Sequence, residues 1–401
     1  MDLLSVLMTA AILLPLGAGF GLLLRPIEEK HRRNTFTLLV CGAASVHPEL
    51  LNCRNCVLNL DTLEPLPHDP DLLLSKVTGC DYDPDADRSE VEKFLAEIMQ
   101  DDREKIAYLK RILGYSLTDG NPQEKMFIFL GTTTRNGKST LCDTFEKLLG
   151  GYAENIEPES LAHRDSHHGS SGPSEDIARL KGARFIHCGE PPKHMVFNAA
   201  LVKHLTGGDK VTARRLHENS FEFHPGFKLI MNTNYLPSVL DDTVFSSGRM
   251  QVLTFDRHFS EWEQDKHLKQ RLQEPENLSA LLAAAIDGLR DFRLHNECLD
   301  PPACVTSETA LYRKDADKPG MFLDDCTECD DRSVVSLKTL YLVYAAWCRA
   351  CGFGVDNKRT FSGELRRKGL LQADAYLNGE HQKNVISGRH ITNEAFCRYG
   401  S

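Results

Sequence analysis

A chain of 401 residues, 41% hydrophobic and 26% charged, is long enough for two or three domains and has the composition of a globular α/β protein. Its formal net charge of −10 excludes a protein that coats nucleic acid over its whole surface, but not one with local basic patches. Thirteen cysteines, an odd number without framework spacing, exclude a disulfide-stapled scaffold and point to reduced thiols.

The chain opens on Leu3–Leu24, which carries no charge and is followed by Arg25, Lys30, Arg32 and Arg33. That length suits a membrane span with its basic side cytoplasmic, while Pro15, Gly17, Gly19 and Gly21 weaken it as a soluble helix. Residues 1–33 are set apart as an apolar leader. A membrane anchor is the less favoured reading of it, and the cytoplasm of a bacterial host is the expected location. Val57–Leu60 reads as a strand. Asp81–Asp87 imitates a calcium loop with Glu92 at its twelfth position, but Ala86 replaces the required glycine and Pro84 interrupts it. Ser89 and Glu92 fit a capping box opening a helix over Val91–Gln100. A second helix, Glu104–Leu113, is expected to stop near Gly114.

From Lys125 to Phe255 strands and helices alternate, as in a parallel-sheet nucleotide-binding domain. The strand candidates are Met126–Leu130, Arg184–Cys188, Phe227–Asn232 and Met250–Phe255. The polar stretch 163–175 reads as a loop insertion. Residues 258–300 read as helical, and Pro301-Pro302 with Lys314–Gly320 as a linker to a last small domain.

Directly after the first of these strands stands GTTTRNGKST: Gly131, Thr132, Thr133, Thr134, Arg135, Asn136, Gly137, Lys138, Ser139, Thr140. A glycine loop ending in Gly-Lys-Ser/Thr between strand and helix is the sequence form of a phosphate-binding loop. Its backbone N–H groups and the helix N-terminus can surround phosphate oxygens. Lys138 can reach the β/γ-phosphates of ATP, and Ser139 can hold Mg²⁺. Five residues separate the two glycines instead of the usual four, so either Thr132 replaces the first glycine or the loop is one residue longer.

Three later features narrow the chemistry. Glu190 follows an apolar strand, where a carboxylate can polarise a water beside the γ-phosphate. Asn234 follows the next strand, where an amide can hold that water or the phosphate. Arg249 sits on a loop before a further strand, where it can serve a neighbouring subunit as a trans-acting finger. The segment 203–218 adds Lys210, Arg214 and Arg215 after a Gly207-Gly208-Asp209 turn. These three form either a DNA-phosphate contact or a solvated helix face.

Together, GTTTRNGKST, ARLKGARFIHCGEPPK, KHLTGGDKVTARRLHE and FKLIMNTNYLPSVLDDTVFSSGRMQVLTFDRHF resemble the superfamily 3 helicase module. More closely, the chain from about residue 48 is similar to phage and plasmid primase–helicases related to the poxvirus replication helicase. The resemblance implies an AAA+-like P-loop core at 115–258, a helical N-terminal adaptor at 34–114, a helical segment and linker at 259–320 and a winged-helix domain at 321–401. It makes Lys138 and Ser139 the Walker A phosphate and Mg²⁺ residues, Glu190 the Walker B acid, Asn234 the sensor and Arg249 the finger. Lys210, Arg214 and Arg215 become the central-channel DNA contact. One departure is that a single acid ends the Walker B strand where many members carry two. The residues ahead of the loop are too few for a priming domain as well as the adaptor, so a separate primase is an expected partner.

The C-terminal stretch NKRTFSGELRRKGL supports DNA binding from its own residues. Phe361 and Leu365 share an apolar face, while Lys358, Arg359, Arg366, Arg367 and Lys368 stand against one acid, Glu364. With a preceding helix over Leu340–Arg349 this is helix–turn–helix spacing, and Tyr376–Arg389 suits a wing. A protein-docking surface is the alternative. Cys326, Cys329, Cys348 and Cys351 formally fit a zinc site, although Cys348 falls on that preceding helix.

The expected protein is thus an ATP-dependent, DNA-stimulated helicase, assembled as a homo-hexamer around DNA, replicating a phage, prophage or plasmid-like element. The alternatives are a P-loop NTPase that loads or remodels protein without unwinding, and a non-hydrolysing initiator.

Overall fold

The computed structural model describes residues 47–163, 175–193, 195–239, 243–351, 353–377 and 380–400. The apolar leader and most of the polar insertion lie outside the described residues. The chain divides at Thr309/Ala310 into two units.

The first unit begins with three short antiparallel strands, β1 (Leu50–Asn52), β2 (Val57–Asn59) and β3 (Glu64–Leu66), so the adaptor adds a small sheet to its helices. Helix α1 (Ser89–Ile98) starts two residues earlier than expected. The capping box does not form: the Asp87 carboxylate accepts from the Ser89 N–H at 2.9 Å, while Glu92 turns to Lys110 Nζ at 2.6 Å. That pairing also removes Glu92 from the acidic loop. Helix α2 (Arg103–Tyr115) is capped by Asp102, which accepts from the N–H groups of Glu104 and Lys105. It ends at Tyr115, one residue past Gly114, close to where the sequence places its stop.

The central sheet contains β4 (Met126–Leu130), β5 (Ala153–Ile156), β6 (Phe185–Cys188), β10 (Lys228–Thr233) and β12 (Met250–Thr254), in the order β12-β4-β10-β6-β5 and all parallel. Four of the five were expected, because β4, β6, β10 and β12 are buried along their whole length and read as continuous apolar runs. The edge strand β5 was not, since only Ile156 of its four residues is buried. Helix α3 (Lys138–Leu149) connects β4 to β5; α4 (Glu175–Ala178) precedes β6. Beyond β6 come β7 (Val196–Phe197), α5 (Ala199–Thr206) and the antiparallel pair β8 (Val211–Ala213) and β9 (Phe221–Phe223). Strand β11 (Ser238–Val239) pairs with β7, and α6 (Thr243–Ser246) leads to β12.

After β12 the helices are α7 (Leu268–Leu272) and α8 (Pro275–Leu294), so 258–267 is a structured loop and not helix. Helix α8 lies against α2 at two facing glycines. A Cβ on Gly288 would come 1.9 Å from the Lys110 carbonyl oxygen, and one on Gly114 would come 2.2 Å from the Leu289 nitrogen. The two backbones touch, which larger residues would forbid. Arg184, buried just before β6, donates to the carbonyls of Leu50 and Leu117, each at 2.7 Å. Adaptor, sheet and α8 therefore share one hydrophobic core, including Leu51, Ile98, Leu109, Phe127, Ile230 and Leu281.

The segment Lys314–Gly320, expected as a linker, is helical apart from one break. Helix α9 (Ala303–Ala316) ends there, and Asp317 caps α10 (Lys318–Cys326) by accepting from the Gly320 N–H. Pro319 sits in the first turn of α10, where a missing N–H costs nothing. The second unit continues with β13 (Thr327–Ser336), α11 (Leu337–Ala350), α12 (Lys358–Arg367), β14 (Leu371–Leu377), β15 (Glu380–Ile391) and α13 (Asn393–Tyr399). Its sheet is antiparallel in the order β13-β15-β14. Phe322, Tyr344, Trp347 and Phe361 form its aromatic core, with Tyr344 stacked on Phe361 at 4.2 Å between ring centroids. Cys326 and Cys348 are buried while Cys329 and Cys351 are exposed, and the four do not converge on a zinc site. No described helix is long and apolar enough to cross a membrane.

Candidate nucleotide site

Strand β4 delivers the chain to Gly131, whose N–H donates to Thr233 on β10 at 3.0 Å. A Cβ on Gly131 would lie 1.9 Å from Asn136 Nδ2 and 2.2 Å from Lys138 Nζ. A side chain at Gly131 would therefore displace the Asn136 amide and the Lys138 ammonium that meet there. Asn136 Nδ2 closes the loop on the Thr133 carbonyl at 2.5 Å. Arg135 and Gly137 both take positive φ, 59° and 87°, and Gly137 lies against Ile98 at the end of α1. From the other side His258 Nδ1 meets the Thr134 carbonyl at 2.8 Å, and the Phe259 N–H donates to the Arg135 carbonyl at 2.9 Å. The loop is held on both flanks while Thr132, Thr133, Thr134 and Arg135 remain exposed.

Lys138 is the first residue of α3 and only 5% exposed. Its Nζ donates to Asn136 Oδ1 at 3.1 Å and to Asn234 Oδ1 at 3.0 Å. Asn234 Nδ2 in turn donates to Glu190 Oε1 at 2.7 Å. Lys138, Asn234 and Glu190 follow the C-terminal ends of β4, β10 and β6, and the sheet order brings the three together. Burial pushes the Lys138 ammonium down to about 8, against the opposing pull of Glu190. Ser139 is exposed and Thr140 half-buried in the first turn of α3.

A second polar chain beneath the loop was not legible in the sequence. Cys142 Sγ donates to Asn232 Oδ1 at 3.4 Å, Asn232 Nδ2 meets His187 Nε2 at 2.8 Å, and His187 Nδ1 meets Glu146 Oε1 at 2.7 Å. Since Asn232 donates to Nε2, the neutral imidazole carries its proton on Nδ1 and donates it to Glu146. Among the described residues, Asp143, Glu146 and His187 are the group whose donor atoms lie close enough for a metal. With Nδ1 protonated and Asp143 paired to Lys269, that group is satisfied by the protein itself.

Arg249 is not brought to the loop. It precedes β12, at the opposite end of the sheet, and pairs with Glu124 at 2.6 Å and with the Thr206 hydroxyl at 3.1 Å. The segment 210–223 is a β-hairpin, β8–β9, and not a helix face. Lys210 stands at its base, 3.4 Å from Glu222. Arg214 and Arg215 begin its tip, followed by exposed Leu216 and by His217 with φ of 62°. Arg215 lies over the Phe221 ring at 5.9 Å. In the second unit, Phe361 and Leu365 are buried, while Lys358, Arg359, Arg366 and Arg367 are exposed; Lys368 pairs with Asp317 and Arg367 with Glu364.

Two stretches of the chain match family models. Residues 44–100 match the model described as D5 N-terminal-like, and residues 129–249 match a family of unknown function, DUF5906. An Acanthamoeba polyphaga mimivirus protein with a provisional helicase name, L207/L206, is 26% identical over 70% of this chain and 31% of its own length. A provisionally named helicase of Frog virus 3, 022R, is 27% identical over 64% of this chain and 27% of its own length. The chain is thus similar to D5-like proteins over its first matched stretch and to these helicase-named viral proteins over most of its length. It spans about a third or less of the length of these viral relatives. The apo C-terminal region of NrS-1 aligns over 89% of this chain and 90% of its own, with 12% identity and a TM-score of 0.46. The two matched stretches meet at the loop, where Ile98 of the first lies against Gly137 of the second.

Proposed function

We propose that this chain is the ATP-driven motor of a DNA helicase that acts in replication of a virus-like or plasmid-like element. The observation that carries the reading is the chain Lys138–Asn234–Glu190 at the mouth of a glycine loop. The loop suits a nucleoside triphosphate with Mg²⁺, because the Asn136 amide and the buried Lys138 ammonium gather at its start beside Gly131. Ser139 would hold the metal, which when bound neutralises charge on the β- and γ-phosphate oxygens. Lys138, now on Asn136 and Asn234, exchanges those amides for phosphate oxygens. Glu190, oriented by the Asn234 amide, accepts a proton from the water that attacks the γ-phosphorus as the bond to the ADP oxygen breaks. Thr132–Arg135, Asn136, Gly137 and Thr140 contribute loop and helix N–H groups to the phosphates.

DNA contact is assigned to the hairpin tip at Arg214 and Arg215 and to the exposed basic face of α12, with Lys210 secondary. The order helix–strand–helix–helix–strand–strand from α10 to β15 supports a winged helix. A homo-hexameric ring and a separate primase belong to the same proposal, as does action in the host-cell cytoplasm. The test is ATPase activity with and without single-stranded DNA, with Lys138→Ala as control. Stimulation by DNA that the control lacks is expected. DNA-independent turnover by intact protein would favour the loader reading instead.

A further inference from the structure

The segment that flanks the phosphate loop at Thr134 and Arg135 carries one large aromatic side chain. Trp262 is 89% exposed, on the loop that follows β12. That loop is itself firmly built. Ser260 and Glu263 close a turn around Trp262, with the Ser260 N–H donating to Glu263 Oε2 at 2.9 Å and the Glu263 N–H donating to the Ser260 carbonyl at 3.0 Å. Arg257 pairs with the same carboxylate at 2.5 Å, and Gln264 Nε2 donates to the Phe259 carbonyl at 2.9 Å. Two further bonds fix this loop to the phosphate loop, from His258 to Thr134 and from Phe259 to Arg135. A rigid segment bonded to the phosphate loop thus displays an indole that contributes almost nothing to the fold.

The sheet order says which end of a nucleotide would lie there. Glu190 and Asn234, the groups for the γ-phosphate, follow β6 and β10 on one side of β4. Strand β12, from which the Trp262 loop departs, lies on the other side. A triphosphate laid along the loop with its γ end toward Asn234 therefore directs its nucleoside toward β12. An exposed indole offers a flat π-face, and base–aromatic stacking needs no particular hydrogen-bond pattern.

We propose that Trp262 is the base platform of this site and stacks on the purine ring of the bound nucleoside triphosphate. The proposal rests on the reading of residues 131–140 as the triphosphate site. It assigns Trp262 to binding and not to chemistry, and it predicts a preference for purine over pyrimidine nucleotides, whose smaller rings stack less.

The chain has two tryptophans, and the other, Trp347, is 2% exposed in the core of the second unit, which makes fluorescence a direct reporter. In the full chain with Mg²⁺, ATP should quench the exposed tryptophan, and inorganic triphosphate should bind without quenching it. Trp262→Ala should lose the quench, retain the Trp347 signal and bind ATP about tenfold more weakly, the scale of one base–aromatic stack. Its affinity for inorganic triphosphate should not change, and Trp262→Phe should recover most of the ATP affinity. Equal ATP affinity in Trp262→Ala and wild type would overturn the platform. So would a fluorescence change that follows protein concentration and ignores ATP, which would make Trp262 a contact between copies. If neither ATP nor triphosphate binds, the reading of the loop fails and the platform fails with it.

Discussion

Lys138 holds its charge in a pocket that water barely enters, and this sets a pH signature for the site. Its ammonium titrates near 8 in the free protein, and a bound triphosphate would restore the charged form. Below that value nucleotide affinity should be insensitive to this group, because lysine is charged before and after binding. Above it each binding event must take up a proton, so affinity should fall by about tenfold per pH unit. Calorimetry in two buffers of different ionisation enthalpy at about pH 9 should detect that proton uptake; its absence there would mean that Lys138 does not hold the phosphate. Glu190 makes a separate prediction. A glutamine keeps the oxygen that accepts from Asn234 and removes the base, so Glu190→Gln should bind ATP normally and hydrolyse it about 10²–10⁴-fold more slowly. Nucleotide binding and ADP release measured on the same sample decide this. Normal turnover would mean that another group serves as base.

The hairpin β8–β9 is the element whose role and legibility are both instructive. Arg214→Ala with Arg215→Ala should leave basal ATPase intact while DNA stimulation and unwinding fall, irrespective of DNA sequence, since phosphate contacts position without specifying. The salt dependence of single-strand binding should flatten by about 1.4 log units per log unit of salt for two lost phosphate contacts. Lys210→Ala alone should do little, because its ammonium already lies beside Glu222 at the hairpin base. Unwinding at the wild-type rate by the double variant would move the DNA contact to α12. Sequence reading found these basic residues but assigned them to a turn and a charged helical run. The strands VTA and FEF are three residues each, too short for alternation to register against an intervening charged run. The same reasoning explains the other differences. Central strands β4, β6, β10 and β12 announced themselves because both faces are buried, whereas β5 has one buried residue. Gly114 marked the helix end to within one residue, but its second role, close packing against Gly288 and Leu289, cannot be read from the sequence. Pro319 with Gly320 looked like a linker, though both fit the first turn of a helix. The loop, Glu190 and Asn234 were legible because each follows a buried strand. The Cys142–Asn232–His187–Glu146 chain was not, because only the folded packing of α3 on the sheet unites it.

At the scale of the whole molecule the open matter is how a site so complete on one side is finished on the other. Strand β12 pairs in register with β4, Thr254 against Leu130, so Arg249 stands a full strand length from the phosphate loop, about 16 Å for five residues. It cannot serve its own nucleotide. Within its chain it holds Glu124 and the Thr206 hydroxyl at the end of α5, just ahead of the hairpin. Two roles compete: a clamp that sets the root of the hairpin, or a finger that leaves Glu124 for the nucleotide of a neighbouring copy. They separate cleanly in mixtures. Under the finger role, Arg249→Ala and Lys138→Ala are each inactive, yet a one-to-one mixture regains ATPase. Roughly a quarter of the interfaces in randomly mixed assemblies then join an intact loop to an intact arginine. Under the clamp role, mixing restores nothing, and Glu124→Gln reproduces the Arg249→Ala defect with a lowered melting temperature. We expect recovery on mixing, greatest near equal proportions, with Glu124→Gln retaining turnover. Absence of recovery at every ratio, in samples shown by light scattering to contain mixed assemblies, would remove Arg249 from the chemistry and leave it as the anchor of the hairpin.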